Sequence, residues 1–327
     1  MPDQPQLSVV IPVYNEEASL PDLFARLFPA LDALGVRYEV VFVNDGSRDR
    51  SAALLREQWE RRPDATRVVL FNANYGQHPA IVAGFEHCRG ERVVTMDADL
   101  QNPPEEIGKL LAAMDAGHDY VGGVRRHRED SWFRRLASKA MNRLRERITR
   151  IHMTDQGCML RAYSREIVAA VAASREVSTF IPALAYTFAS NPTEIDVAHA
   201  ERTAGKSHYP LYKLIRLNFD LVTGFSLVPL QLFSMFGMFV SAAALATYVG
   251  VIGYRLFAFD WAGVRWQEAT SVFWDRDILA FFLIGMLLFG LGLIGEYVGR
   301  IYQQVRARPR YMIRAVLERP ADEPAER

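Results

Sequence analysis

Two aspartates, one residue apart, follow an apolar run in the first third of the chain. The run 93–96 leads into Asp97, Asp99 and Gln101. Because alternate residues of an extended chain point to the same side, these side chains can project together. Carboxylate and amide oxygens are the ligands that Mg²⁺ and Mn²⁺ prefer, often together with substrate phosphates. The spacing therefore predicts a divalent-metal site, and a turn with two solvated aspartates is the alternative.

The elements that would position these side chains alternate along the chain. Strands are predicted at 7–13, 38–43, 67–71, 92–96 and 119–124, and helices at 19–33, 49–61, up to 87, and 104–116. This alternation predicts an α/β fold with a mostly parallel sheet and right-handed crossovers. In such sheets, ligands bind outside the carboxyl ends of the strands. We therefore expect Glu16 and Asp45, which follow the first two strands, to converge on one crevice with Asp97 and Asp99.

Composition and missing motifs exclude several classes of protein. The chain has 327 residues with 38 basic and 38 acidic side chains, so its net charge predicts no nucleic-acid partner. Neither a dinucleotide-binding glycine motif after the first strand nor a P-loop is present. Its two cysteines, Cys88 and Cys158, do not make a disulfide framework, which predicts a reducing compartment. Without these glycine motifs, the charge of a phosphate-bearing ligand would have to be neutralised by a metal ion, as Asp97, Asp99 and Gln101 suggest.

Two uncharged runs near the C-terminus predict a membrane hairpin. The run Leu221–Tyr254 has 34 residues without Asp, Glu, Lys, Arg or His, and Ile278–Gly295 has 18. A spanning helix needs about 20 apolar residues, and the second run reaches that length by continuing through Val298. The flanking basic residues place both termini in the cytoplasm. Buried core helices are the alternative, and no signal peptide is predicted.

Two further segments have the pattern of helices that lie at a membrane surface. Between Arg125 and Arg150, apolar residues recur at roughly helical spacing among many arginines, and a similar pattern recurs from Tyr209 to Phe225. Such a helix can rest on anionic headgroups, although an ordinary amphipathic helix packed on the sheet is the alternative. The predicted division is a cytoplasmic domain at 1–208 with an interfacial helix at about 131–149, a juxtamembrane amphipathic helix at 209–225, a two-helix transmembrane hairpin at 226–302 and a cytoplasmic tail at 303–327.

Four motifs together resemble those of family 2 glycosyltransferases with the GT-A nucleotide-sugar-binding fold. They are S-V-V-I-P-V-Y-N-E at 8–16, N-D-G-S at 44–47, D-A-D-L-Q-N-P-P-E at 97–105 and R-x-x-G-x-S at 202–207. Within that family the chain is most similar to the polyprenyl-phosphate sugar transferases. Five further stretches match one branch of these transferases: N-Y-G-Q-H at 74–78, D-S-W-F-R at 130–134, G-C-M-L-R-A-Y at 157–163, S-T-F-I-P at 178–182 and V-R-A-R-P-R-Y at 305–311. The similarity covers nearly the whole chain, including both uncharged runs.

The resemblance implies roles for the residues that match the family's motifs. Those implied to hold the nucleotide are Pro12, Tyr14, Glu16, Asp45 and Asp97. Those implied to hold a Mg²⁺ or Mn²⁺ ion are Asp97, Asp99 and Gln101. Those implied to receive the acceptor phosphate are Arg125, Arg134, Ser138 and Arg202. Those implied to act in catalysis are Asp99, Asp155 and Arg134. Many relatives have a lysine where this chain has His208, so the roles of Lys206 and His208 stay open.

The resemblance also implies an activity. It is the transfer of a sugar from a UDP-sugar to undecaprenyl phosphate, with inversion, by a homo-oligomer in the bacterial inner membrane. The best-matching branch transfers 4-deoxy-4-formamido-L-arabinose for lipid A modification and polymyxin resistance, and glucose or mannose transfer is the alternative. A catalytically silent nucleotide-binding scaffold or a flippase component belongs to a different class. The lack of a Q-x-x-R-W signature disfavours a processive polysaccharide synthase.

Overall fold

A computed structural model describes most of the chain and divides it into two compact units. The described residues are 4–125, 151, 153–155, 157–174, 180–199, 227–257, 276–306 and 308–319. One unit comprises Met1–Ile215 with Ala307–Arg327, and the other is Arg216–Arg306. The interfacial helix at 131–149 and the juxtamembrane helix at 209–225 lie outside the described residues. So do Arg134, Ser138, Arg202, Lys206 and His208.

The first unit is built around one eight-stranded sheet. Its elements are β1 (Leu7–Val13), α1 (Leu20–Asp32), β2 (Tyr38–Asn44), α2 (Ser51–Arg61), β3 (Thr66–Phe71), α3 (Gln77–His87), β4 (Arg92–Thr95), α4 (Ile107–Asp115), β5 (Tyr120–Arg125), β6 (Arg161–Ser164), α5 (Arg165–Ala173), α6 (Ile181–Phe188), β7 (Pro192–Val197) and β8 (Ile313–Leu317). The sheet order is β7-β5-β6-β4-β1-β2-β3-β8. Only β6 and β8 run against the other strands. The predicted α/β class and mostly parallel sheet are confirmed.

Burial on both faces of the central strands explains their continuous apolar runs. In β1 only Pro12 is less than fully buried, as expected for a parallel strand covered by helices on both sides. Helix α1 buries leucines at 20, 23, 27 and 31 along one face, which is the spacing of an amphipathic helix. The register then aligns the ends of neighbouring strands. Val13 pairs with Asn44, and Val10 pairs with Thr95, so the loops after β1, β2 and β4 emerge side by side.

The last strand, β8, lies within the first unit although it follows the second unit in sequence. It pairs antiparallel with β3 and covers what would otherwise be an open sheet edge. The contact continues past the strand, where Asn72 N donates to Met312 O at 3.1 Å and the Tyr311 ring stacks on Phe71 with centroids 4.8 Å apart. We predicted this segment only as a tail, without a strand.

The second unit contains two long helices, α7 (Val228–Phe257) and α8 (Arg276–Arg306). They approach closely where Phe233 meets Gly290, since a Cβ at Gly290 would lie 2.4 Å from the Phe233 ring. Among the described residues, one stretch, Leu283–Arg306, is long and apolar enough to cross a membrane, and Val228–Val240 is a shorter apolar stretch. The two-helix transmembrane hairpin therefore stays a prediction.

Candidate functional site

The loops that follow β1 and β2 are tied together by reciprocal hydrogen bonds. Asn15, at φ 54°, donates its backbone N–H to Ser47 Oγ at 3.1 Å and accepts from Arg48 N at 2.9 Å. Glu17 N donates to Asp49 Oδ2 at 3.1 Å. Each loop thus satisfies backbone groups of the other, which holds both loops at the carboxyl edge of the sheet.

Three residues implied to hold the nucleotide lie at the end of β1 or on the loop that follows it. Tyr14 is 43% exposed, Pro12 is half-buried and the Glu16 carboxylate is partly exposed. Ser19 directly precedes α1 but its side chain does not cap the helix. Instead its hydroxyl donates to Glu16 Oε2 at 2.6 Å. The helix start therefore helps to orient the Glu16 carboxylate.

Asp45 is buried and holds the loop that follows β3. Its Oδ1 accepts from Tyr75 N at 2.6 Å, and its Oδ2 accepts from Gly76 N at 2.8 Å and Asn74 Nδ2 at 3.0 Å. Burial raises the pKa of this carboxyl, although the two backbone hydrogen bonds act in the opposite direction. In the part of the chain that the structure describes, both Asp45 oxygens thus face a neighbouring loop.

Two glycines make this loop arrangement possible. Gly46 has φ 64°, and a Cβ there would lie 2.3 Å from the carbonyl carbon of Ala73. Gly76 has φ 102° and turns the chain into α3, whose first residue is Gln77. A side chain at either position would be strained, because L-residues rarely adopt these φ values. The glycines therefore fix where α3 begins.

The predicted metal-binding side chains come together after β4. Gln101 donates its Nε2 to Asp99 Oδ2 at 2.6 Å and its backbone N–H to Asp99 Oδ1 at 3.2 Å. Asp97 Oδ1 accepts from Gln77 Nε2 at 2.6 Å. In the turn between Asp99 and Gln101, Leu100 has φ 60°. Local spacing thus predicted the cluster, whereas Gln77 was missed.

Asp97 has the most perturbed carboxyl in this cluster. Burial and the nearby Asp99 charge raise the pKa of Asp97 to about 7, while the Gln77 hydrogen bond opposes the shift. Arg125 lowers this pKa and Glu16 raises it, so both lie within electrostatic range. Within the described residues, the charge of Arg125 therefore does not offset the combined effect of burial and the acidic neighbours on Asp97.

The donor set fits a divalent metal ion that shares its ligands with a substrate. Among the residues that the structure describes, no group of three or more His, Cys, Asp and Glu side chains could hold a metal ion alone. Asp97, Asp99 and Gln101 offer hard oxygens, and Mg²⁺ is commonly held by one or two carboxylates plus substrate phosphates. A cation would also relieve the repulsion that raises the Asp97 pKa. These residues would suit a metal ion that arrives with a diphosphate.

Arg125 and Asp155, implied to serve the acceptor, meet in a two-pronged ion pair. Arg125 donates Nε to Asp155 Oδ2 at 2.6 Å and Nη2 to Oδ1 at 2.8 Å. Gly157 N donates to the same carboxylate at 3.0 Å, and a Cβ at Gly157 would lie 2.7 Å from Arg125 Nη2. Burial acts to raise the Asp155 pKa, but Arg125 outweighs it and holds the pKa below its usual range. Asp155 therefore stays ionised and is a weak proton acceptor.

A fully buried arginine that the sequence analysis missed supports this pair. Arg161 donates Nη2 to Asp155 O at 2.5 Å, Nε to Cys158 O at 2.8 Å and Nη1 to Tyr120 Oη at 2.5 Å. It thereby fixes the loop that presents Asp155. The available signal was an arginine at the start of an otherwise apolar stretch, because buried charges are retained only with partners.

Comparison with known proteins places the chain in a class. A family model described as Glycosyl transferase family 2 matches residues 8–171, and the chain belongs to this family, as its motifs predicted. The undecaprenyl-phosphate 4-deoxy-4-formamido-L-arabinose transferases of Edwardsiella ictaluri and Aeromonas hydrophila are 50% and 49% identical to it. The alignments cover 98% and 95% of this chain, and 96% and 94% of those proteins. Glucosyl-3-phosphoglycerate synthase of Mycobacterium tuberculosis, solved with Mn²⁺, UDP and phosphoglyceric acid, matches with a TM-score of 0.49 and 16% identity. That match covers 67% of this chain and 76% of the synthase.

Proposed function

We propose that this glycosyltransferase moves 4-deoxy-4-formamido-L-arabinose from its UDP-linked donor to undecaprenyl phosphate, a reaction that serves lipid A modification and polymyxin resistance. The observation that carries the proposal lies at the carboxyl edge of the sheet, where Gln101 donates to Asp99 and the Asp99 charge acts on Asp97. Relatives about half identical over nearly the whole chain bear this activity in their names. The sugar rests on that similarity alone.

The donor would lie across the loops that follow β1, β2 and β4. Tyr14 is exposed beside the tied loops, where an aromatic ring can stack on a base. A Mg²⁺ or Mn²⁺ ion held by Asp97, Asp99 and Gln101 would supply neutralisation of the charge that develops on the departing UDP. The turn at Leu100 brings the last two of these side chains together before the donor arrives, so little reorganisation is needed.

The acceptor needs positioning more than activation. A phosphate monoester already carries negative charge at neutral pH, so no strong base is required to make it a nucleophile. The lowered pKa of Asp155 suits an orienting role. The fork to Asp155 uses Nε and Nη2 of Arg125, so Nη1 is the nitrogen that we propose to donate to a phosphate oxygen. Arg134, Ser138 and Arg202 remain predicted partners of the same phosphate.

A lipid acceptor requires the catalytic domain to work at a bilayer. The apolar stretch Leu283–Arg306 supports attachment to a membrane. We propose a second span in α7, both termini and the catalytic domain in the cytoplasm, and a homo-oligomer in the bacterial inner membrane. The polyprenyl tail would then stay in the bilayer while its phosphate reaches Arg125.

The test is mass spectrometry of the lipid product. Membranes containing the full chain are incubated with undecaprenyl phosphate and a panel of UDP- and GDP-sugars, and we expect product from the UDP-linked formamido sugar. If product formed from a glucose or mannose donor instead, the result would support the alternative function, glucose or mannose transfer. No product from any donor would favour a silent scaffold. Asp99→Ala should abolish transfer, whereas the matched Asp115→Ala, at an exposed surface ion pair with Arg92, should leave transfer unchanged.

A further inference from the structure

We propose that Gln77 is a positioning residue for the metal ligand Asp97, an inference that rests on the proposed function. Gln77 is the first residue of α3, and its Nε2 lies 2.6 Å from Asp97 Oδ1. Asp97 lies on the loop after β4, 20 residues along the chain. The hydrogen bond therefore joins two loops that emerge from different strands at the edge where the donor would bind.

The neutral character of the Gln77 amide matters for a metal ligand. A hydrogen bond from an amide fixes the direction of a carboxylate while leaving its negative charge for a cation. Arg125 does the opposite for Asp155, because a guanidinium both orients and neutralises its partner. With Oδ1 of Asp97 held by Gln77, Oδ2 is the oxygen that would face a metal ion. An arginine or lysine at 77 would compete with that ion.

The position of Gln77 is itself fixed from β2. The carboxylate of Asp45 accepts the backbone N–H groups of Tyr75 and Gly76, the two residues that precede Gln77. Gly46 brings this loop to within contact of the Ala73 backbone. The aim of the Gln77 side chain thus depends on a relay from Asp45 through the 75–76 backbone to Asp97. This relay links a residue implied to hold the nucleotide to one implied to hold the metal ion.

The first measurement is the affinity for Mn²⁺ in the presence of UDP. Electron paramagnetic resonance monitors the binding of Mn²⁺ to the full chain in nanodiscs. Gln77→Met preserves the length of the side chain but removes the donor. We expect the Kd for Mn²⁺ to rise about tenfold or more, the usual effect of losing a hydrogen-bond partner of a metal ligand. UDP binding without metal and the thermal midpoint should not change. Tyr75→Phe is the matched control, because it removes the hydroxyl that donates to Asn72 Oδ1 but keeps the backbone N–H that donates to Asp45.

A second pair of variants separates positioning from direct coordination. Gln77→Glu keeps a side-chain oxygen but loses the N–H donors, and Tyr75→Glu adds the same charge to the same loop without touching Asp97. If Gln77 positions Asp97, Gln77→Glu binds Mn²⁺ more weakly than Tyr75→Glu. Equal or tighter binding by Gln77→Glu would overturn the inference and make residue 77 a metal ligand.

The outcomes also separate this inference from the proposed function. If the unsubstituted protein binds Mn²⁺ with UDP and Gln77→Met binds it equally well, only the role of Gln77 is overturned. Loss of metal-free UDP binding in Gln77→Met would also overturn it, because the residue would then act on the nucleotide or the fold. If the unsubstituted protein binds no Mn²⁺, the metal site of the proposed function fails as well.

Discussion

The amino and carboxyl edges of the sheet differ in how their charged side chains are paired. At the amino edge, buried Glu39 accepts from Ser8 Oγ at 2.6 Å and lies 3.6 Å from Arg67 Nη2. Arg67 is also buried, and its Nε lies 3.0 Å from Glu318 Oε2. At the carboxyl edge, Asp97 has a neutral amide as its donor and a second carboxylate nearby. Among the described residues, the amino edge pairs Glu39 with Arg67, whereas at the carboxyl edge Asp97 has an uncharged hydrogen-bond donor.

This difference separates stability from function within a single sheet. A buried pair that has lost a partner is strongly destabilising, so the amino edge should tolerate little change. At the carboxyl edge, burial of Asp97 and the Asp99 charge disfavour the ionised Asp97 carboxylate, as expected of a site that would bind a cation and trade stability for activity. Substitutions at the two edges should therefore have opposite signatures.

The largest expected effect is on transfer, from Asp97→Asn. Asparagine keeps an oxygen for the Gln77 hydrogen bond but removes the charge that holds the metal ion. We expect a loss of about a hundredfold or more in the transfer rate, since a metal ion contributes several kcal/mol to stabilising the transition state. Rates are measured on purified enzyme with saturating donor and excess Mn²⁺. A rate within about tenfold of the unsubstituted enzyme would contradict the carboxyl edge as the metal site.

The same variant should gain stability without metal, and the gain should depend on pH. The pKa of Asp97 is raised to about 7, above the unfolded value of about 3.9. Between these two values the folded state binds more protons than the unfolded state, so the unsubstituted protein loses stability as pH rises. Asp97→Asn removes this cost, so its thermal midpoint should exceed that of the unsubstituted protein more at pH 8 than at pH 5. If Asp97→Asn and the unsubstituted protein had equal thermal midpoints at pH 5 and at pH 8, burial and the Asp99 charge would not be destabilising the ionised Asp97.

At the amino edge, Glu39→Ala should cost about 3 kcal/mol of unfolding free energy, the usual effect of leaving a buried charge without a partner. Arg67 would keep the partly exposed Glu318 and the His87 carbonyl oxygen, to which its Nη1 donates. The folded fraction should transfer sugar at an unchanged rate, because this edge is remote from the donor loops. Denaturant titration in detergent gives the first quantity, and initial rates at low temperature give the second. A lowered rate with unchanged stability would reverse our assignment of the two edges.

A smaller effect is expected from Gly46→Ala. The glycine has φ 64° and closely approaches Ala73, whereas Gly35 has φ 65° with nothing within 4 Å of an added Cβ. Gly35→Ala therefore reports backbone strain alone, of about 1 kcal/mol. Gly46→Ala should cost about 2–3 kcal/mol and raise KM for the donor more than it lowers kcat, because the loop before Gln77 must move. Equal costs for the two variants would remove the close approach as a constraint.

The smallest effect belongs to Arg26→Ala at the exposed ion pair with Glu105. The two side chains are 41% and 52% exposed, and such pairs contribute between zero and about 1 kcal/mol. We expect a change in unfolding free energy below about 0.5 kcal/mol and no change in transfer. This variant sets the scale against which both edges are judged, and a loss as large as that of Glu39→Ala would undermine the contrast.

Sequence reasoning succeeded where local pattern and local structure coincide. The strands up to β5 follow from apolar runs, and the cluster of Asp97, Asp99 and Gln101 follows from their spacing. The antiparallel strand β6 was missed because it has only four residues and begins with a buried arginine. The strand β8 was missed because its partner, β3, lies more than 200 residues earlier in the chain.

Site contacts that join distant loops were equally hidden from the sequence. Gln77 meets Asp97 across 20 residues, and Arg125 meets Asp155 across 30. Motif resemblance implied that Arg125 and Asp155 serve the acceptor, but it did not predict that they would bind each other. Such contacts depend on strand order and register, which local sequence does not specify.

The late position of β8 in the chain has a consequence for biosynthesis. The ribosome delivers β8 only after both long apolar helices, so the catalytic domain emerges with the edge of β3 uncovered. N-terminal segments fold first during synthesis, and the loop at Asn72 gains its Met312 contact last. The enzyme would therefore mature only after its apolar helices have been made. A ribosome stalled before Ile313 would hold a nearly complete sheet that lacks its final strand.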